Sequence, residues 1–309
     1  MRILLLIAMV LPLFAQPREK VKSLRIQVLS TMLAGQAGFG EWGFAALVEA
    51  DGRRILFDTG AHPETVLNNA RALRVDLSNI TDVILSHNHL DHTAGLVTLR
   101  KATMAKRSDA LSRVHVGKGI FLSRPTPAGE GNSVLRSRPE YEATGGKFIE
   151  HEKAVELQPG VWLTGPVPRT HDERNWGMGA TTAGVEDNIP EDMSMVFNTD
   201  SGLVVLSGCG HAGIVNTIAY SKQIVREAPV LAALGGFHLF ALNDEKLNWT
   251  ADFLKKLGLK SFLGAHCTGI EATYRIRERA GLDRRSCSVA AVGATFELGK
   301  GLSPGSLAR

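Results

Sequence analysis

Apolar residues in this chain fall in short runs punctuated by Gly, Pro, Asp and Asn, a pattern that predicts many brief strands with helices between the later ones. SLRIQVLSTML (23–33) predicts a strand, and FAALVEADGRRILFDTG (44–60) predicts two more joined by a tight turn at Asp51-Gly52. Pro63, tolerated in a first helical turn, opens a predicted helix that runs to Leu73. TDVILS (81–86) is a continuous apolar run and predicts a strand buried on both faces. A helix is predicted from Ala94 to Met104, then strands at RVHVG (113–117), KFIEHE (147–152) and GVWLTGPV (160–167). SMVFNTDSGLVVLSGCGH (194–211) predicts a second hairpin, around Asp200-Ser201-Gly202. Beyond it, helices at 214–225, 243–258 and 270–281 separate strands at 230–236 and 261–267 and precede a closing strand at 294–299. Gly258 supplies a helix stop. This order predicts a layered α+β sandwich with helices outside two sheets.

Two segments lack a period. Residues 120–145, rich in Ser, Arg, Pro and Gly, are expected to form an inserted loop or lid, and 171–191 a second polar loop. No short internal repeat is evident.

Composition adds little beyond excluding some classes. A chain of 309 residues with 44% hydrophobic and 21% charged residues is globular rather than disordered. The formal charge of +4 is mild, and clusters such as Arg275–Arg279 read as solvated helix surface; nothing resembles a nucleic-acid module. The amino terminus, MRILLLIAMVLPLFAQ, pairs one positive charge with an apolar run too short to favour a membrane span. It is expected to be a signal peptide (1–16) of an exported, periplasmic or secreted protein, leaving a domain at 17–309; an uncleaved membrane anchor is the lesser reading. Three cysteines, Cys209, Cys267 and Cys287, form no C-x-x-C motif and leave one unpaired in any disulfide scheme. Burial as small apolar residues is the expectation for each, although Cys209 and Cys267 both stand near a histidine.

The chemistry concentrates in DVILSHNHLDHTAG (82–95). In extended chain, alternate side chains share a side, so His87 and His89 point together just past a buried strand. Asp91 and His92 follow at the mouth of a helix. Two imidazoles suit one borderline cation, and a carboxylate with an imidazole begins a second site.

HNHLDH (87–92) resembles the signature of the metallo-β-lactamase superfamily, and ILFDTG (55–60) resembles the motif upstream of it. The resemblance runs from about residue 24 to 298 and implies a four-layer αββα sandwich with its site at one open edge. GCGHAGIVN (208–216), GGFHL (235–239) and HCTG (266–269) are similar to the 7,8-dihydropterin-6-methyl-4-(β-D-ribofuranosyl)aminobenzene-5′-phosphate synthase-like subfamily. The resemblance implies that His87, His89 and a third histidine, chosen as His211, hold a first metal ion. Asp91, His92 and a late histidine, chosen as His266, would hold a second. Many relatives place a bridging aspartate where this chain has Cys209. Cys209 is then either a soft thiolate ligand or a buried thiol beside the site; the second is favoured because bridging thiolates are unusual. His238 is the candidate for binding a substrate phosphate or carboxylate, with Gly235 and Gly236 allowing close backbone approach. Asp58 is expected to orient a ligand or a loop rather than bind metal. His171 is a reserve candidate, and His62, His115 and His151 belong to no constellation.

A zinc-bound water has its pKa lowered to roughly 7, which implies a hydrolase delivering metal-bound hydroxide to an ester, lactam or phosphoester of an anionic small molecule. One or two zinc ions are expected, with iron or manganese as alternatives. Asp91 would orient the nucleophile, and Arg124, Arg136 and Arg138 of the lid would add donors to an anionic group. Two other classes stand beside the hydrolase: an iron-dependent, dioxygenase-like redox enzyme, and a binding or sensing protein without turnover. Fold alone does not select a β-lactam substrate.

Overall fold

A computed structural model of the chain describes residues 18–36, 38–173, 184 and 186–305. The expected leader at 1–16 and most of the second polar loop lie outside the described residues. The first strands are β1 (Leu24–Ser30), β2 (Ala45–Ala50), β3 (Arg53–Phe57), β4 (Asp82–Ile84), β5 (Arg113–Gly117), β6 (Pro125–Thr126), β7 (Gly129–Glu130) and β8 (Lys147–His151). They continue with β9 (Val155–Gln158), β10 (Val161–Leu163), β11 (Met195–Thr199), β12 (Gly202–Ser207), β13 (Val230–Gly235), β14 (Phe262–Gly264), β15 (Cys287–Val289), β16 (Thr295–Glu297) and β17 (Gly301–Ser303). The helices are α1 (Thr65–Ala72), α2 (Leu90–Thr93), α3 (Leu96–Met104), α4 (Ser133–Ala143), α5 (Ile214–Ile224), α6 (Asp244–Lys256) and α7 (Ile270–Arg279).

Two sheets dominate, ordered β17-β16-β1-β2-β3-β4-β5-β8 and β15-β14-β13-β12-β11-β10-β9. Strand periodicity explains how they stack. On β2, Ala46, Val48 and Ala50 join a core with Met195, Phe197, Val204 and Leu206 of the other sheet. The alternate residues Ala45 and Leu47 face the opposite way, onto Val66 and Ala70 of α1 and Leu96 and Leu99 of α3. The second sheet does likewise: Leu203 and Val205 of β12 pack with Ile214 and Ile218 of α5, Leu247 of α6 and Ile276 of α7. Both faces of both sheets are therefore buried, which gives the αββα order. The Asp51-Gly52 turn takes φ of 48° and 80°, the left-handed pair that a two-residue hairpin requires.

The segment 120–145 is not the irregular loop expected from its composition. It holds the β6–β7 hairpin and an eleven-residue helix, α4. Asn132 caps that helix through hydrogen bonds from Val134 N and Leu135 N, and the buried Tyr141 donates its hydroxyl to Leu111 O at 2.9 Å. The apolar period is faint because only Ser133, Val134 and Tyr141 are buried and Pro139 interrupts the pattern.

β3, β4, β5 and β8 run parallel, as do β12, β13, β14 and β15. Their carboxyl-terminal ends emerge at a common edge, where ligands of open α/β sheets gather. β4 is anchored at its start by Asp82, which accepts from Arg113 Nε and Nη2 at 2.7 Å each and from His115 Nε2 at 3.0 Å. His115 in turn lies 2.9 Å from His151 Nε2, so these two histidines serve the strand base. Burial raises the Asp82 carboxyl, but His115 and Arg113 outweigh it and hold it at about 2, below the ordinary 3.8. Because the folded value is depressed, this stabilisation is present above pH 3.8 and is lost as pH falls through about 2. Asp82→Asn should cost roughly 2 kcal/mol at pH 7, the gap to wild type narrowing as pH falls below about 4 and closing toward about 2. Urea midpoints across that range check it; a gap independent of pH would mean that lost packing, not charge, sets the cost.

Candidate metal centre

The chain turns sharply where β3 and β4 end. Asp58, directly after β3, adopts a left-handed φ of 56°, a conformation that aspartate tolerates better than most residues. Its buried carboxylate accepts from Ser86 N and Ser86 Oγ at 2.8 Å each and from His92 Nδ1 at 2.7 Å. Ser86 thus sends its own proton to Asp58, and its oxygen accepts from His87 Nδ1 at 2.9 Å. One carboxylate thereby fixes the tautomer of two histidines and turns both Nε2 atoms the same way. His87 Nε2 is buried with no hydrogen-bond partner. A bare, buried acceptor among other imidazoles fits a cation, since an apolar neighbour would leave it unsatisfied.

The other candidate residues arrive from separate strands. His211 follows β12, His238 follows β13 and His266 follows β14. Ligand atoms of His87, His89 and His211 lie within 4.8 Å of one another, and so do those of Asp91, His92 and His266. In the second set His92 Nε2 is 3.3 Å from His266 Nε2, and His266 Nε2 is 3.2 Å from Asp91 Oδ2. Cys209 Sγ lies 3.0 Å from His92 Nε2, so the thiol points into the cluster. His87, His89, Asp91, His92, Cys209, His211, His238 and His266 gather at one edge: the His238 ring sits 4.5 Å from that of His211.

Electrostatics suits these groups to cation binding. Burial, reinforced by the neighbouring His92, His89, His211 and His266, keeps His87 neutral, well below the usual imidazole range. Burial also pulls His89 down to about 4. For His92 burial opposes charge, but Asp58 and Asp91 prevail and raise it to about 9. The Asp91 carboxyl resists its own burial and is held well below the usual range by His92, His266 and His89. Without a cation, a proton on His92 balances the Asp58–Asp91 pair. A cation held by His92 would take the place of that proton.

Other readings change. Arg124 is no lid donor: it is buried, pairing through Nε with Asp187 at 2.5 Å and through Nη2 with Glu191 at 2.8 Å. Glu191 also accepts from Asn88 Nδ2 at 2.7 Å, so Arg124 braces the loop between His87 and His89 from behind. Arg138 lies over the Phe121 ring and pairs with Glu142, and Arg136 is exposed on α4. His171 bonds to Asn216 and packs on Phe253, outside the clusters formed by the described residues.

Four contributors at the site carry little or no signal in the sequence. Glu191 and the neighbouring Asp192, which accepts from Ala212 N at 2.9 Å beside His211, form a buried acidic pair. Their only signal is two adjacent carboxylates leading into an apolar strand. Trp42 and Phe240 have no signal at all. They stack edge-on with ring centroids 5.3 Å apart, Trp42 lies 5.0 Å from His266, and they remain 47% and 50% exposed as an apolar rim.

Comparison with known proteins gives a consistent set. The family model described as the metallo-beta-lactamase superfamily matches residues 43–169. The chain is 32% identical over 275 residues to a 7,8-dihydropterin-6-methyl-4-(beta-D-ribofuranosyl)-aminobenzene-5′-phosphate synthase of Methanocaldococcus jannaschii, covering 84% of this chain and 92% of that one. Its structure is similar, with a TM-score of 0.70 and 27% identity, to a metal-dependent hydrolase of the beta-lactamase superfamily, covering 88% of this chain and 98% of the other. Zinc-bound PqqB from Methylobacterium extorquens, at 16% identity and a TM-score of 0.51 over 88% of this chain and 99% of its own, shares the fold.

Proposed function

The chain belongs to the metallo-β-lactamase superfamily, and from that premise we propose that it is an exported, zinc-dependent hydrolase of an anionic ester, lactam or phosphoester. The observation that carries this reading is the pair of adjoining donor sets at the strand ends, with His87 Nε2 buried and bare between them. His87, His89 and His211 would hold a first cation; Asp91, His92 and His266, with Cys209 beside them, would hold a second. When bound, such ions supply Lewis acidity and lower the pKa of water.

The chain's own groups do the rest. Asp58 holds the imidazoles in the ligating tautomer through Ser86 and His92 Nδ1. Asp91 stays ionised, and its side chain is 22% exposed at the opening, where it can accept a hydrogen bond from the attacking water and orient it. His238, half-buried at the same opening, offers a donor to the substrate's anionic group. Trp42 and Phe240 close one side and keep bulk water from the reacting bond. A solved relative named a metal-dependent hydrolase supports cleavage by water, and a relative whose named product carries a 5′-phosphate supports an anionic substrate. That second name also favours a synthase acting on a phosphorylated ribofuranosyl compound. The charge and apolar run of the first 16 residues support export.

Elemental analysis of the full chain, with ester, lactone, lactam and phosphodiester substrates assayed alongside, tests the proposal. About two zinc ions per chain are expected, falling in both His89→Ala and Asp91→Asn together with hydrolysis. Iron with oxygen uptake would move the assignment to the redox class. Metal without hydrolysis of any substrate would favour the synthase, and no metal would overturn the ligand set.

A further inference from the structure

Two buried cysteines meet at the site edge from strands that are not neighbours. Cys209 follows β12 and Cys267 follows β14, and β13 runs between them. Their sulfurs are nevertheless 3.2 Å apart. The glycines that end β13 make this approach feasible. A Cβ on Gly235 would stand 1.9 Å from Ser207 O, and one on Gly236 would stand 1.9 Å from Gly208 O and 2.9 Å from Cys267 Sγ. Any side chain there would force the β12 and β14 ends apart. Cys267 Sγ also accepts from His238 N at 3.3 Å, which aims it at Cys209. The third cysteine stands elsewhere: Cys287, on β15, donates to Thr273 O at 3.4 Å.

Across that 3.2 Å Cys267 Sγ donates to Cys209 Sγ, and a disulfide of about 2.0 Å lies only about one ångström of motion away. We propose that Cys209 and Cys267 form a reversible dithiol–disulfide couple, oxidised by hydrogen peroxide, whose disulfide withdraws Cys209 from the second cation position. The last clause rests on the metal reading above; the couple itself does not.

The chemistry balances without another reactant. One sulfur attacks a peroxide oxygen, the O–O bond breaks, and the departing hydroxide takes up the thiol proton as the first water. The second sulfur then attacks the resulting sulfenic sulfur, the S–S bond forms, and the displaced hydroxyl leaves with the second thiol's proton as another water. Two thiols lose two hydrogens and one peroxide becomes two waters. A small dithiol reverses the reaction by exchange. Peroxide enters past Asp91 and His238, which are partly exposed at the opening.

The full chain, carrying its metal, is exposed to hydrogen peroxide and read by intact mass, peptide mapping and metal analysis. The expected result is loss of two hydrogens, a cross-linked Cys209–Cys267 peptide, Cys287 still open to alkylation, and release of one cation, all reversed by dithiothreitol. Cys267→Ser and Cys209→Ser should each lose the cross-link, with the remaining thiol of the pair gaining oxygen instead. Oxygen addition without a cross-link in the wild-type chain, or a cross-link through Cys287, would overturn the couple. A Cys209–Cys267 cross-link with full metal retention would overturn the withdrawal of Cys209 alone. A protein that carries no metal but forms the cross-link would overturn the metal reading and leave the couple standing.

Discussion

Asp58→Asn is expected to weaken the second cation position by about 10- to 100-fold and to destabilise the cation-free protein by about 3–5 kcal/mol. The carboxylate is buried and meets three donors: Ser86 N, Ser86 Oγ and His92 Nδ1. Asparagine keeps the left-handed backbone of this position but replaces one acceptor oxygen with an NH2 group. At least one donor then faces a donor, and the positive charge that Asp58 favours on His92 loses its counter-charge. Because His87 is oriented through Ser86, the first position should weaken as well, by less. Chelator competition gives the two affinities and guanidinium melts give the stability. A variant with wild-type affinity at both positions would remove Asp58 from the centre and leave it a purely structural group.

Gly235→Ala is expected to cost roughly 3–5 kcal/mol and to lower metal occupancy with it, the combined effect of backbone strain and a main-chain collision. Gly235 has a φ of 109°, and its added Cβ would stand 1.9 Å from Ser207 O. That oxygen belongs to the backbone of β12, so relief requires β12 and β13 to separate just where Cys209, His211 and His238 depart. Gly52→Ala is the control: its φ of 80° is also left-handed, but nothing lies within 4 Å of the added Cβ. It should cost about 1 kcal/mol, the conformational part alone. Equal losses in the two variants would show that the collision is relieved without consequence.

The strands were readable where both faces are buried, because a run such as GLVVLS carries apolar residues at every position and turn residues at its ends. Short strands at the ends of the sheets were not. β9, β15 and β17 have three or four residues each, too few to display a period. α4 escaped notice for the opposite reason: a helix of adequate length buries so little of itself that its sequence reads as loop. At the site, HNHLDH is legible because four potential ligands, three histidines and an aspartate, crowd a single turn. Histidines that stand alone in sequence, His211, His238 and His266, were placed by family resemblance and by their position after apolar strands. Arg124 illustrates the limit, since its charge suggested a substrate donor while its partners Asp187 and Glu191 lie more than 60 residues away.

By itself, then, the sequence determined what is local: the alternation that stacks two sheets, the Asp51-Gly52 turn, and the donor atoms offered at the end of β4. Those follow from side-chain period and backbone preference over a few residues. Only the tertiary structure decided what those donors face. Parallel strands from two sheets bring His211, His238 and His266 to one edge, glycines at the end of β13 let Cys209 and Cys267 approach to 3.2 Å, and Asp58 gains command of two imidazoles. Each of these depends on distances across strands remote in the chain, which packing sets and local sequence does not encode.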